Sequence, residues 1–153
     1  MAEDLIDHLL GLAPDSPLSH LRRQRPEARQ HAEGAYRELL LPPDPGALSL
    51  AERAALAHRV ATREGDAALA AHYATLLAAS GGPAEGARHD ALMRYADLVA
   101  GEPEATSRAD IEDLAALGLT SREIVATTQL IAFVPYQVRV LAALRAMMQE
   151  SGR

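Results

Sequence analysis

The sequence predicts an all-α protein of about seven or eight helices. Of its 153 residues, 48% are hydrophobic and 3% are aromatic, and the strong helix formers Ala and Leu outnumber the β-branched residues. Apolar residues also recur at helical spacing between short connectors that contain Pro and Gly. This length fits one compact domain, in which an N-terminal helical arm over residues 1–48 precedes a core over residues 49–150.

The predicted arm alternates helices with breaks marked by proline. A short amphipathic helix is predicted over Ala2–Leu12, and Pro14 and Pro17 are expected to break the chain into a linker. Pro26 suits the first position of a helix that runs to about Leu40, because no backbone N–H is needed there. The predicted core face of that helix is Ala28, Ala32, Ala35, Tyr36 and Leu39.

A basic cluster lies within Ser19–Arg29 of the arm. Arginines at this density usually form a solvated face or pair with neighbouring acids, and we favour that interpretation. A phosphate or carboxylate site is the alternative. The cluster consists of His20, Arg22, Arg23, Arg25 and Arg29.

A helical hairpin over Ser49–Leu77 is the central element of the predicted core. Ser49 is followed three residues later by Glu52, which is the spacing of a capping box. A turn at Arg63–Gly65 and a capping Asp66 then separate two helices. Their apolar faces are Leu50, Ala54, Ala57, His58 and Ala61 on the first helix, and Leu69, Tyr73, Leu76 and Leu77 on the second.

Three further helices are predicted, over Gly86–Ala100, Arg108–Leu117 and Thr120–Met148. The last contains an uninterrupted apolar segment, Leu130–Val134, so we expect other helices or a second subunit to surround it on several sides. Pro135 cannot donate the backbone hydrogen bond of a helix interior and should kink the helix. Beyond the kink the inward pattern is expected to resume with Tyr136, Val138, Arg139, Leu141, Ala142 and Leu144.

The bulk properties exclude several classes of function. A net charge of −6 argues against general binding to nucleic acid or anionic membranes. No apolar run approaches the roughly 20 residues of a membrane span, and the acidic N-terminus lacks the features of a secretion signal, so a cytoplasmic protein is predicted. Asp110–Gln129 has the outline of a helix-turn-helix, but its second helix has few base-reading residues and leads into a buried segment, so we reject DNA binding. Because the chain has no cysteine, it has no thiolate nucleophile or thiolate metal ligand.

The hairpin resembles a known family. The residues that carry the resemblance are Leu50–Arg53 and His58–Ala61, followed by a helix with a histidine. They are similar to the carboxymuconolactone decarboxylase and alkylhydroperoxidase D-like proteins. The resemblance extends over Ser49–Met148, where a capped helix, a Gly-Leu turn and a long helix with Gln137 and Arg139 match the C-terminal half of the family. It implies the alkylhydroperoxidase D-like helical fold and a homo-oligomer assembled through its helices.

The peroxidase branch of this family works with a glutamate, a Cys-x-x-Cys pair and a histidine. The cysteines reduce the peroxide, and the glutamate and histidine relay protons to them. In this chain the glutamate position falls at Ala54, the cysteine positions at Asp66 and Leu69, and the histidine position at Tyr73, one residue after His72. The resemblance therefore implies a Cys-less subgroup that lacks the redox site.

His72, Tyr73 and His58 are the candidate catalytic residues. His72 lies where the resemblance places the proton relay, and an imidazole with a pKa of about 6.5 can act as a general base if a pocket opens on it. His58, on the inner face of its helix, could line the same cavity or provide a second metal ligand. Two histidines on different helices are too few for a metal site, so no metal is predicted, and hydrogen-bonded packing roles are the alternative.

Tyr136, Gln137 and Arg139 are the candidate substrate-binding residues. A helix kink can shape a cavity, and a guanidinium group can bind a carboxylate there. The alternative is an ion pair between Arg139 and an acid of another helix or subunit.

Three functions compete on this basis. The first is a binding or partner subunit that has lost the thiol peroxidase site and works with a second copy or with a Cys-bearing paralogue. The second is a decarboxylase-like enzyme that uses non-thiol acid/base chemistry on a small organic acid. The third is a peroxidase-related activity whose thiol comes from a partner. No cofactor is expected. If His72 is catalytic, it should face a cavity within hydrogen-bond reach of another polar side chain such as His58 or Arg139.

Overall fold

A computed structural model describes residues 4–150, with the side chains of residues 4–149. The described residues are helical and contain no strand, which confirms the all-α class. The helices are α1 (Leu5–Leu10), α2 (Pro17–Arg23), α3 (Pro26–Leu40), α4 (Leu50–Glu64), α5 (Ala67–Ala79), α6 (Ala87–Gly101), α7 (Arg108–Ala116) and α8 (Ser121–Glu150), with a 3-10 turn at Pro103–Ala105 between α6 and α7.

The arm contains one more helix than predicted. Pro17 was expected to extend a linker, but it is the first residue of α2, and the Ser16 hydroxyl caps that helix by accepting a hydrogen bond of 3.2 Å from the Ser19 N–H. A proline breaks a helix interior but is tolerated in its first turn, which explains the difference. The predicted Ala2–Leu12 helix is described from Leu5, and its first residues lie outside the described part of the chain.

Two arginines of the basic cluster pair with Asp4, the N-cap of α1, and with Asp7 in its first turn, as favoured from the sequence. Arg22 contacts Asp4 and Asp7, and Arg29 donates to Asp7 at 2.8 Å. These ion pairs fasten α2 and α3 to α1. Arg23 lies close to its own helix instead and donates to the Ser19 hydroxyl at 2.9 Å.

The hairpin of α4 and α5 lies at the centre of the packing, and α4 also contacts α3, α6 and α8. The predicted capping box is present at its start: Ser49 accepts from the Glu52 N–H at 3.1 Å, and Glu52 accepts from the Ser49 N–H at 2.8 Å. Gly65 ends α4 with a φ of +79°, a left-handed conformation that favours glycine. The fully buried core side chains around the hairpin are Leu48, Leu56, Val60, Leu69, Tyr73, Leu92, Leu130, Ile131, Val134 and Leu141.

The helix α8 runs without interruption through Pro135 for 30 residues. Its apolar segment is not covered on every side within this chain, because Ala132 is exposed while Leu130, Ile131 and Val134 are buried. The kink at Pro135 stays a prediction.

The inward face beyond Pro135 differs from the predicted one. Tyr136, Arg139 and Ala142 are exposed, whereas Gln137 is buried with Leu141. At 100° per residue, the face set by Val134 and Leu141 includes positions 137 and 138 and excludes positions 136 and 139, and Val138 is half-buried against the core. On α3, likewise, Ala28 is exposed, the other four predicted core residues are half-buried, and Leu40 is buried instead.

By its length and composition, α8 is the single described helix that could cross a membrane. Only 33% of its most apolar window is buried in this chain. Core helices of soluble proteins meet the same criteria, so the cytoplasmic location stays a prediction.

Candidate functional site

The helix α5 places His72 and Tyr73 side by side but in different surroundings. Tyr73 is fully buried, whereas His72 is half-buried. Consecutive helical residues differ by 100° in direction, so only one of the pair can point into the core. The two rings remain in edge contact, with centroids 5.2 Å apart.

Tyr73 donates a hydrogen bond of 2.5 Å to Oε1 of Gln137 on α8. Burial raises the pKa of the Tyr73 hydroxyl well above its ordinary value, and the nearby Tyr36 raises it further. The phenol therefore stays protonated at neutral pH and acts as a donor, which suits the amide oxygen that faces it. Two residues from different predicted sites thus satisfy each other inside the core.

His72 shares a hydrogen bond of 2.9 Å between its Nε2 and the hydroxyl of Tyr36 on α3. Burial lowers the pKa of His72 from its ordinary value, and His8 lowers it further. Burial and Glu33 raise the pKa of Tyr36 to about 12. At neutral pH the pair is therefore a neutral imidazole and a neutral phenol, and the tautomer of His72 decides which group donates.

The other candidate residues do not join this pair. His58 is half-buried on α4, and Tyr136 and Arg139 point outward from α8, with Tyr136 46% exposed. Within the described part of the chain, the side-chain hydrogen bond of His72 goes to Tyr36 and to neither His58 nor Arg139. The predicted substrate-binding residues therefore separate into one inward side chain, Gln137, and two outward ones.

The positions that the resemblance assigns to redox residues hold structural side chains. Asp66 caps α5 by accepting from the Leu69 N–H at 2.9 Å, and it pairs with Arg145 of α8 at 2.5 Å. Burial by itself would raise the pKa of Asp66, but the Arg145 guanidinium and backbone N–H groups outweigh it and lower that pKa. Leu69 and Ala54 are completely buried. All of these groups are engaged in packing or capping.

Glu52, half a turn from the glutamate position, is engaged by Ser49 and by α6. Its carboxylate completes the capping box of α4 and pairs with Arg88 of α6 at 2.6 Å. Burial opposes its ionisation, yet hydrogen bonds from Arg88 and Ser49 lower its pKa below the ordinary value. Glu52 is therefore an anionic packing residue.

Little space lies beside the pair formed by His72 and Tyr36. A cavity bounded by Tyr36, Tyr136 and Gln137 has a volume of about 10 Å³, which is room for about one water molecule. Two larger clefts border both α3 and α8: one of about 450 Å³, which the connector between α3 and α4 also lines, and one of about 280 Å³, which α1 and α2 also line. His72 lines none of these three spaces.

The structure also assigns a role to Arg53, which is not among the site residues predicted from the sequence. Its side chain is 4% exposed, and its guanidinium donates to the backbone carbonyls of Leu48, Leu39 and Pro45 at 2.8–3.1 Å. In the sequence, the indication of this role is that Arg53 directly precedes Ala54, which belongs to the predicted apolar face of the first hairpin helix. Arg53 holds the connector between α3 and α4, and it lines the larger of the two clefts.

The described residues contain no group of three or more acidic or histidine side chains arranged to hold a metal ion. In comparisons with known proteins, no family model and no curated protein sequence matches this chain.

Proposed function

We propose that this chain is a non-redox binding subunit built on an alkylhydroperoxidase D-like arrangement of helices. In this proposal the thiol peroxidase site has been replaced by packing residues, and the chain acts through association. The partner is a second copy or a Cys-bearing paralogue, and the protein works in the cytoplasm.

One observation carries the proposal. Tyr73, at the position of the relay histidine, is sealed in the core by its 2.5 Å hydrogen bond to Gln137, and Asp66 and Leu69 serve as a helix cap and a core side chain. A peroxidatic centre needs a thiolate that a peroxide can reach. Positions 66, 69 and 73 provide no thiol, and their side chains are buried, so a peroxide in solution does not reach them.

An assay of peroxide reduction by the purified chain tests this proposal. With hydrogen peroxide or an alkyl hydroperoxide and a dithiol reductant, we expect no rate above that of buffer, because the chain has no cysteine. Turnover by the chain alone would overturn the proposal.

A double-cysteine variant tests whether the site is closed. Asp66→Cys/Leu69→Cys places thiols at the N-cap and the third residue of α5. Because the native side chains there are 6% and 0% exposed, we expect no dithiol-dependent peroxide reduction and slow reaction with a thiol reagent in the variant that circular dichroism shows to be folded. The control Ala71→Cys/Ala74→Cys has the same spacing at exposed positions of the same helix and should react rapidly with the reagent. Peroxide reduction by the first variant would show that these positions are open to a peroxide and would contradict the proposal.

The second candidate function, acid/base chemistry on a small organic acid, is supported by the neutral His72 beside Tyr36. Its test is turnover of a panel of small carboxylic acids by the native chain and by His72→Gln. Turnover that the substitution abolishes would favour this enzyme over the binding subunit. We expect none, because His72 lines neither of the two clefts described above.

A further inference from the structure

A line of large, partly exposed apolar side chains runs along α8. Val125, Tyr136 and Met147 are 56%, 46% and 44% exposed. They are spaced by eleven residues, which is close to three helical turns, so they share one face at intervals of roughly 16 Å along the axis. We call these three residues the α8 line. The exposed residues between them are Gln129, Ala132, Arg139, Ala142, Ala143 and Ala146.

The α8 line borders two clefts on the side of α8 that faces α3. Val125 lines the cleft of about 450 Å³ together with Leu39, and Tyr136 and Met147 line the cleft of about 280 Å³ together with Ala32. The connector between α3 and α4 also lines the first cleft, and α1 and α2 also line the second. The exposed face of α8 beside these clefts is long enough to pack against another helix.

The spacing of the α8 line is self-complementary. Tyr136 lies at the midpoint between Val125 and Met147, eleven residues from each. If two copies of α8 meet antiparallel about a two-fold axis at Tyr136, Val125 of each copy lies opposite Met147 of the partner subunit, and the two Tyr136 rings meet at the axis. A parallel pairing would also cover all three, each by its own copy, but it would place the two like-charged Arg139 side chains beside each other.

The charges of α8 fit the same arrangement. Between Glu123 and Glu150 the helix has no acidic residue, so the net charge of −6 is not concentrated on this face. Arg139 makes no hydrogen bond or ion pair with any residue in the described part of the chain. In the antiparallel pairing it lies opposite Phe133 of the partner subunit, whose ring stacks on Tyr136 with centroids 5.9 Å apart. Such an aromatic pair can accept a guanidinium group.

We propose that the α8 line is a homodimer interface in which α8 pairs antiparallel with α8 of a second copy around Tyr136. This inference rests on the proposal that the chain acts by association, and it names the surface that does so. Contact with a lipid bilayer is the alternative way to bury an apolar helix face. The polar side chains of Gln129 and Arg139 lie on this face and would be costly in hydrocarbon, which favours the second copy.

Disulfide mapping tests the pairing, and the absence of native cysteine makes its result unambiguous. Under mild oxidation, Tyr136→Cys should form a covalent dimer with itself. A mixture of Val125→Cys and Met147→Cys should form a dimer that neither variant forms alone, because two copies of the same residue would lie roughly 33 Å apart along the axis. Ile111→Cys, at an exposed position of α7, is the control and should stay monomeric. Self-linking of Val125→Cys, or no linking of Tyr136→Cys, would overturn the antiparallel interface.

Sedimentation measures the same association without cross-linking. The native chain in detergent-free buffer should have the mass of a dimer, and Tyr136→Glu should weaken the dimer by at least about tenfold, because it places two like charges at the axis. Ile111→Glu adds the same charge away from the α8 line and should leave the mass unchanged.

The outcomes separate this interface from the proposed function. A native chain that is monomeric at tens of micromolar and reduces no peroxide would overturn the interface alone. A dimer that reduces peroxide would overturn the proposed function and keep the interface.

Discussion

Tyr73 of α5 and Gln137 of α8 lie 64 residues apart in the chain and share a buried hydrogen bond of 2.5 Å. The sequence predicts Tyr73 as a catalytic residue and Gln137 as a substrate-binding residue. In the structure each is the partner of the other, and together they join the central hairpin to the longest helix. A relay histidine at position 73 would need an opening to solvent, and this contact closes it.

Replacing Tyr73 by phenylalanine should destabilise the protein by about 1–3 kcal/mol, because the amide oxygen of the buried Gln137 loses its donor. The measurement is the free energy of unfolding in urea. Tyr136→Phe removes a hydroxyl from a 46% exposed side chain and serves as the control, with a change within about 0.5 kcal/mol. Equal stabilities for the two variants would contradict the structural role of the hydrogen bond.

Replacing Arg53 by methionine should destabilise the protein by about 2–4 kcal/mol, since three backbone carbonyls near the connector from α3 to α4 lose their donor at once. Amide hydrogen exchange should also become faster over residues 41–49. Arg108→Met is the control, because Arg108 pairs with Glu112 while its side chain is 91% exposed, and such a pair contributes little. The prediction fails if both variants unfold at the same urea concentration.

The lowered pKa of His72 predicts the sign of a pH dependence in the stability of the fold. Folding favours the neutral imidazole, so the unfolded chain binds more protons, and the contribution of His72 is fully present above the unfolded pKa of about 6.5. It is lost as the pH falls towards the lower folded pKa. We therefore expect the stability of the native chain relative to His72→Gln to decrease between about pH 7 and pH 5. Unfolding curves at each pH measure it, and an NMR titration that places the His72 pKa above its ordinary value would reverse the sign.

The stabilisation from the ion pair between Asp66 and Arg145 should be lost at a lower pH than the stabilisation from the neutral imidazole of His72. The pKa of Asp66 is lowered in the folded state, so the stability that its ionisation provides is present above the unfolded value of about 3.9 and lost as the pH falls through the folded pKa. Asp66→Asn should therefore be less stable than the native chain at pH 6 and converge with it in strong acid. Asp97→Asn breaks a pair with the 53% exposed Arg59 side chain and should cost less at pH 6. Two parallel stability profiles for native protein and Asp66→Asn would refute this assignment.

The sequence determined the helices through local signals. The capping box of Ser49 and Glu52, the left-handed glycine at Gly65 and the periodic apolar residues of α4 and α5 act within a few residues of one another, so they can be identified without knowing the fold. The same local logic misplaced Pro17, because a proline that breaks a helix interior and a proline that begins a helix look alike in sequence.

Only the tertiary structure decided what the candidate residues do. The partner of His72 is Tyr36 on α3, the partner of Tyr73 is Gln137 on α8, and the three acceptors of Arg53 are carbonyls of a connector and a helix end. These contacts depend on how helices pack at long range, and helical periodicity gives the face of a residue but not the element opposite that face. The spacing of Val125, Tyr136 and Met147 can be counted in the sequence, but their exposure follows from which face of α8 the other helices leave uncovered.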